Sequence, residues 1–187
     1  VDTHCSDGVL GAHAQAMPLW FYRRQSVLTT MTEGLRELAA SIVLPAENMI
    51  SELHALSRLI RERVDYVTGQ SSVATTAGEA LDNKKGVCQD HSHIFLSVVR
   101  AKGFAARYVS GYLLMDDRTS QEASHAWSEV YLDGLGWVGF DVSNGISPDE
   151  RYVRIAQGLD YADVAPTKGL TVGAGRENLV VSIQVQQ

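Results

Sequence analysis

The stretch "KKGVCQDHSHIFLSVVRAKG", residues 84–103, decides how the chain is read. A glycine turn precedes Cys88, and behind it come Ile94, Phe95, Val98, Val99 and Ala101, apolar on more than one face. That pattern predicts a helix over residues 88–102, buried from several sides and closed by Gly103. Cys88 then lies in the first turn, beside N–H groups that have no partner within the helix and at the positive end of its dipole. Both favour thiolate over thiol. Taken alone, a free cysteine is more often a small buried residue than a nucleophile. The rest of the chain must therefore supply a base to move its proton and a third group to orient that base.

Upstream, Val27, Met31, Leu35, Leu38 and Ile42 recur every three or four residues and predict a first helix. Met49, Leu53, Leu56, Ile60, Val64 and Val67 predict a second that opens near Pro45 and ends before Gly69. Thr76 with Glu79 three residues on has the form of a capping box, and Lys84, Lys85 and Gly86 close the short helix it starts. After Gly103 the character changes. "FAARYVSGYLL", "SHAWSEVYL", "GWVGFDV" and "NLVVSIQVQ" are rich in β-branched and aromatic residues. Helices first and strands afterwards predict an α+β fold with a largely antiparallel sheet. "DGLG", residues 133–136, predicts a hairpin turn.

A chain of 187 residues predicts one domain, and 45% hydrophobic with 7% aromatic content supplies a core. The 16 basic residues against 22 acidic ones, net −6, form no basic stripe, so nucleic acid is a poor partner. No apolar run approaches the roughly 20 residues of a bilayer span, which argues against a membrane role. Two cysteines cannot build a disulfide framework. A single Cys5–Cys88 bridge fits the count, but a reducing compartment, the cytoplasm, is the simpler reading. No apolar segment of the kind a signal peptide carries follows Arg23-Arg24.

His125, in "SHAWSEVYL", and Asp141, in "GWVGFDV", are the candidate base and orienting group. The turn at residues 133–136 folds their strands together and brings Asp141 within a couple of residues of register with His125. Asp141 would accept from one imidazole nitrogen while the other faces the sulfur. The N–H of Cys88 is the natural first donor to a developing oxyanion, and Gln89, its neighbour, is a weak second candidate. Cys88, His91 and His93 are also soft enough for zinc. On a helix, however, His91 lies one turn from Cys88 while His93 points away, so both read as helix-face packing and no metal is expected. His4, Cys5 and His13 read as part of an irregular terminus. Trp127 and Trp137 read as core, with Trp127 placed to shield an acyl-enzyme from water. Tyr108, Tyr112 and the pair Asp160-Tyr161 are candidates for lining a substrate groove, with packing the equal alternative.

Three blocks, "GVCQDHSHIFLSVVRAKGFAARYVSGYL", "SHAWSEVYLDGLGWVGFDVSNG" and "RYVRIAQGLDYADVAPTKG", together resemble the bacterial transglutaminase-like proteins, a branch of the papain-related thiol enzymes. The resemblance implies a papain-like α+β core, with N-terminal helices and the nucleophile helix packed on an antiparallel sheet. It implies Cys88 as nucleophile, His125 as base and Asp141 as orienting group, no cofactor, and a peptide or protein substrate. Family members often carry a β-domain ahead of the core. On that footing residues 1–25 are a linker or the remnant of an upstream domain, and residues 26–187 the catalytic domain. "DVSNG" departs from the expected Asp-Pro-Thr-Asn-Gly, so Val142 and Ser143 alter the turn after Asp141. Relatives include proteases, amidases and cross-linkers. Hydrolysis is the expectation here, because excluding water takes a closed tunnel and nothing in the sequence signals one. A protein-glutamine transglutaminase with an amine acceptor, or a non-catalytic binding module that keeps the fold, are the alternatives.

Overall fold

The computed structural model describes residues 8–11, 17–114, 120–121, 124–165 and 183–184. A short strand, β1 (Val9–Gly11), is followed by a 3-10 turn at Phe21–Arg23. Tyr22 in that turn is buried edge-on against Trp137, ring centroids 5.4 Å apart. Gln25 ties the same segment down by donating to the Ser97 carbonyl at 2.8 Å.

The first helix is shorter than its apolar spacing predicts. α1 (Glu33–Ala40) buries Leu35, Leu38 and Ala39, whereas Val27 is 79% exposed and Leu28 is buried in its place. The N–H and hydroxyl of Ser26 both engage the Thr29 hydroxyl, at 2.8 and 2.9 Å, and such local bonds compete with helix formation. α2 (Met49–Arg63) sends Leu53, Leu56 and Ile60 into the core. It stops short of Val67 because Asp65 and Tyr66 turn out into β2 (Asp65–Tyr66). α3 (Ala77–Asn83) opens with a full capping box, the Thr76 N–H donating to Glu79 at 2.8 Å and the Glu79 N–H to the Thr76 hydroxyl at 3.3 Å. The left-handed stop falls on Lys84, at φ 55°, and not on Gly86. Gly86 instead belongs to β3 (Lys85–Gly86), which pairs parallel with β2.

α4 (Cys88–Ala101) is the central helix, and every residue from Cys88 to Arg100 is buried. α1, α2 and α3 pack around it on one side. On the other side stand β4 (Ala106–Leu113) and the hairpin of β6 (His125–Leu132) with β7 (Gly136–Phe140), while the small β5 (Ser120–Gln121) lies between β4 and β6 in the chain and outside their sheet. Gly134 and Gly136, at φ 84° and 85°, make the predicted turn between β6 and β7. β8 (Tyr152–Gly158) and α5 (Tyr161–Val164) follow. The five-stranded sheet runs β1-β7-β6-β4-β8 with every neighbour antiparallel. Phe95 of α4 meets Phe140 of β7, centroids 5.5 Å apart, where helix and sheet share one core.

β8 is absent from the periodicity reading because it is an edge strand with Ile155 59% exposed, so its apolar residues do not alternate cleanly. Of "NLVVSIQVQ", only β9 (Ile183–Gln184) lies within the described residues, pairing with β5. The architecture is α+β, a buried helix on an antiparallel sheet. Among the described residues no helix is long and apolar enough to cross a membrane.

Candidate active site

Asp90 fixes where α4 begins. From the third helical position its carboxylate turns back to accept the Val87 N–H at 2.8 Å and takes the Ser71 hydroxyl at 2.6 Å. The approach needs Gly86, where a Cβ would lie 2.6 Å from the Cβ of Asp90. Cys88 follows as the first helical residue, a free thiol 8% exposed.

The β4–β6 pairing sets His125 opposite Gly111, at the open end of β6. The β6–β7 ladder ends with Ser128 opposite Phe140, so Asp141 sits one step beyond the paired hairpin. A tight turn holds it: the Asp141 N–H donates to Ile146 and its carbonyl accepts from Gly145, both at 2.8 Å, with Gly145 at φ 71°. The Asn144 N–H closes the turn on Oδ1 at 3.1 Å. Oδ2 accepts from three groups: His125 Nε2 at 2.6 Å, the Tyr152 hydroxyl at 2.7 Å and Asn144 Nδ2 at 2.7 Å.

The electrostatics follow from this geometry. Burial pushes the Asp141 carboxyl up, but the hydrogen bond and charge of His125, with those from Tyr152 and Asn144, outweigh it and hold the group below its ordinary value. Burial pulls the His125 imidazole down, yet hydrogen bonds to Asp141 and Cys88 and the charges of both raise it to about 10. Since Asp141 takes Nε2, Nδ1 is the nitrogen left for the sulfur. Trp127, fully buried, lies alongside the imidazole with centroids 6.4 Å apart at 30°, and Tyr152 stands 5.9 Å from it on another side.

Cys88, His125 and Asp141 are thus brought together, and other candidates are directed elsewhere. The Gln89 amide donates to the Ser72 and Val73 carbonyls, at 3.4 Å each. Tyr108 is buried with its ring 5.1 Å from His93, and Tyr112 is half-buried on β4 opposite Val153. His91 donates from Nε2 to the Val64 carbonyl at 2.9 Å and accepts the Ser143 hydroxyl at Nδ1, 3.0 Å away, the arrangement of a neutral imidazole kept so by burial. Ser143, where the family pattern has threonine, therefore ties the Asp141 turn to α4 and to the end of α2. His93 accepts the Tyr161 N–H at 3.2 Å inside the core, and burial drives its pKa down to about 3. The two histidines do not converge with Cys88, and among the described residues no group of three His, Cys, Asp or Glu is placed to hold a metal. His4, Cys5 and His13 lie outside the described residues.

Three residues at the site escaped the sequence reading. Tyr152 opens an edge strand and Asn144 sits in a turn, and neither carries a periodic signal. The apolar spacing that carries the second helix through Val67 would put Tyr66 on that helix. It stands instead in β2, where its hydroxyl lies close enough to Cys88 to feel both the side chain and the backbone.

Comparison with known proteins agrees with this architecture. Residues 36–142 match the transglutaminase-like superfamily. An uncharacterised protein of Mycobacterium tuberculosis (strain ATCC 25618 / H37Rv) is 34% identical over 165 residues, 83% of this chain and 52% of the relative. The chain spans about half the length of that relative. A crystal structure of a candidate cysteine protease from Cytophaga hutchinsonii superposes with a TM-score of 0.65 at 30% identity, over 77% of this chain and 48% of that one. A protein-glutamine gamma-glutamyltransferase of Pseudomonas aeruginosa is 32% identical over 92 residues, 43% of this chain and 13% of that protein. With a family match over more than half its length and the buried helix packed on an antiparallel sheet, the chain belongs to the transglutaminase-like superfamily.

Proposed function

We propose that the protein is a thiol-dependent acyl-transfer enzyme that cleaves amide bonds in a peptide or protein substrate, a cysteine peptidase or amidase. The observation that carries this reading is His125, held by Asp141 at 2.6 Å through Nε2, with its other nitrogen left for the neighbouring Cys88. In the proposed cycle Cys88 Sγ attacks the scissile carbonyl and the carbonyl π electrons move onto oxygen. Collapse of that intermediate breaks the C–N bond, and the His125 proton goes to the leaving amine. A thioester on Cys88 results. Water attacks it, giving a proton back to His125, and the acid leaves as the C–S bond breaks. Asp141 stabilises the imidazolium throughout and keeps the ring oriented.

Water is favoured as acceptor because it is the abundant nucleophile and excluding it takes a dedicated closed tunnel, of which the sequence carries no sign. The gamma-glutamyl transfer for which the Pseudomonas relative is named supports an amine acceptor as the second reading. The same proposal puts the enzyme in a reducing compartment such as the cytoplasm, since the chemistry needs a free thiol.

The test is intact-protein mass spectrometry after exposure to peptide and cell-wall fragment libraries. Wild-type protein is expected to gain an acyl mass at Cys88, and Cys88→Ala to gain none and lose turnover. Full activity in Cys88→Ala sinks the proposal. A primary amine added to the reaction separates the two acceptors: acid as the main product supports hydrolysis, and amide as the main product supports transfer.

A further inference from the structure

Attack on a carbonyl needs two donors for the oxygen that becomes negative, and the Cys88 N–H at the start of α4 supplies one. Gln89, the obvious neighbour, spends its amide on Ser72 and Val73. The β2–β3 ladder brings another group to the same place. The Asp65 N–H donates to the Lys84 carbonyl and the Val67 N–H to the Gly86 carbonyl, each at 2.9 Å, which fixes Tyr66 beside Gly86, two residues before Cys88. The ring stands edge-on to His91, centroids 6.0 Å apart, and is 54% exposed, so it has a buried support on one side and room to swing on the other. Its hydroxyl contacts both the Cys88 side chain and the Cys88 backbone.

Resting on the acyl-transfer reading above, we propose that the Tyr66 hydroxyl is the second oxyanion donor of this enzyme. In the resting protein the Tyr66 hydroxyl lies beside the start of α4, next to the Cys88 N–H and near the position a substrate carbonyl oxygen would take. When a carbonyl arrives its oxygen takes the Cys88 N–H, and a small swing of the exposed ring aims the Tyr66 hydroxyl as a donor at the same oxygen. The group keeps its proton for this purpose: burial, then the charge of Cys88 and the hydrogen bond to it, push the phenol up to about 12.

Two reactions of Cys88 separate this role from any other. Acylation by p-nitrophenyl acetate passes through a tetrahedral oxyanion: Sγ adds to the carbonyl, p-nitrophenolate leaves with its electron pair, and an acetyl thioester remains. Alkylation by iodoacetamide displaces iodide at a saturated carbon and forms no oxyanion. Tyr66→Phe keeps the ring against His91 and deletes only the hydroxyl. The expected result is an acylation rate lowered on the order of 100- to 1,000-fold, the usual effect of losing one oxyanion donor, with the alkylation rate within about 3-fold of wild type. A comparable fall in both rates makes Tyr66 a modulator of the thiol and overturns the proposal. Unchanged or faster acylation makes it a plug over Cys88 and overturns it as well. Cys88→Ala, run alongside, isolates the underlying reading: acylation that persists there, or no acylation of wild type at all, removes the acyl-transfer mechanism and this proposal with it.

Discussion

Asp141 is a fully buried carboxylate that concentrates three donors on one oxygen, and its neighbours are what make it an orienting group. Tyr152→Phe deletes one of those donors without changing the ring. Loss of a hydrogen bond to a charged group is worth about 1.5–3 kcal/mol, so urea denaturation is expected to show a drop of that size. An unchanged midpoint would mean the Tyr152 hydroxyl adds nothing. At this scale Cys88, His125 and Asp141 were legible because each is a chemically distinctive side chain in a recognisable block. Tyr152 and Tyr66 were not. A tyrosine carries no mark of its partner, and theirs are reached only through strand pairing and packing.

At the scale of the element, the beginning of α4 depends on Asp90 folding back over Gly86. Asp90→Ala removes the acceptor for the Val87 N–H and for Ser71, and a lost N-terminal cap costs about 0.5–2 kcal/mol. Gly86→Ala should destabilise in the same direction, because the added methyl displaces Asp90 from that position. Thermal melts of both variants check this, and a wild-type midpoint for Gly86→Ala would refute the close-packing account. The helix was legible because apolar residues on several faces of a long run can only be buried. The ends of α1 and α2 were not, since Thr29 diverts one into a turn and the β2–β3 pairing unwinds the other. An apolar spacing of three and four says nothing about such competing bonds.

For the whole molecule, two buried charge clusters set the response to pH and mutation. The His125 pKa, raised from 6.5 to about 10, contributes stability that is complete below pH 6.5 and is lost as pH climbs through about 10. Asp141, lowered from 3.8, contributes stability present above pH 3.8 and lost as pH falls through its depressed folded value. His125→Gln is therefore expected to be less stable than wild type at pH 6, with the gap closing by pH 10. A gap constant across that range would show that the pair is not charged in the folded protein. Behind the site, the buried Glu129 pairs with Arg107 at 2.6 Å and with Arg154, and Arg107 lies 3.9 Å from the centre of the Trp137 ring. Removing one partner of a buried ion pair strands the others. Glu129→Ala should accordingly cost about 3–5 kcal/mol by equilibrium unfolding.

By itself the sequence determined the class of fold and singled out the candidate nucleophile, base and carboxylate, because apolar periodicity, capping and turn residues are local properties and such candidates are recognised by side-chain type. Only the tertiary structure decided which nitrogen of His125 meets Asp141, what holds that carboxylate, and that Tyr66 reaches Cys88. Those facts depend on register and on contacts between residues far apart in the chain, where a shift of a single position would send each side chain to the other face of its strand.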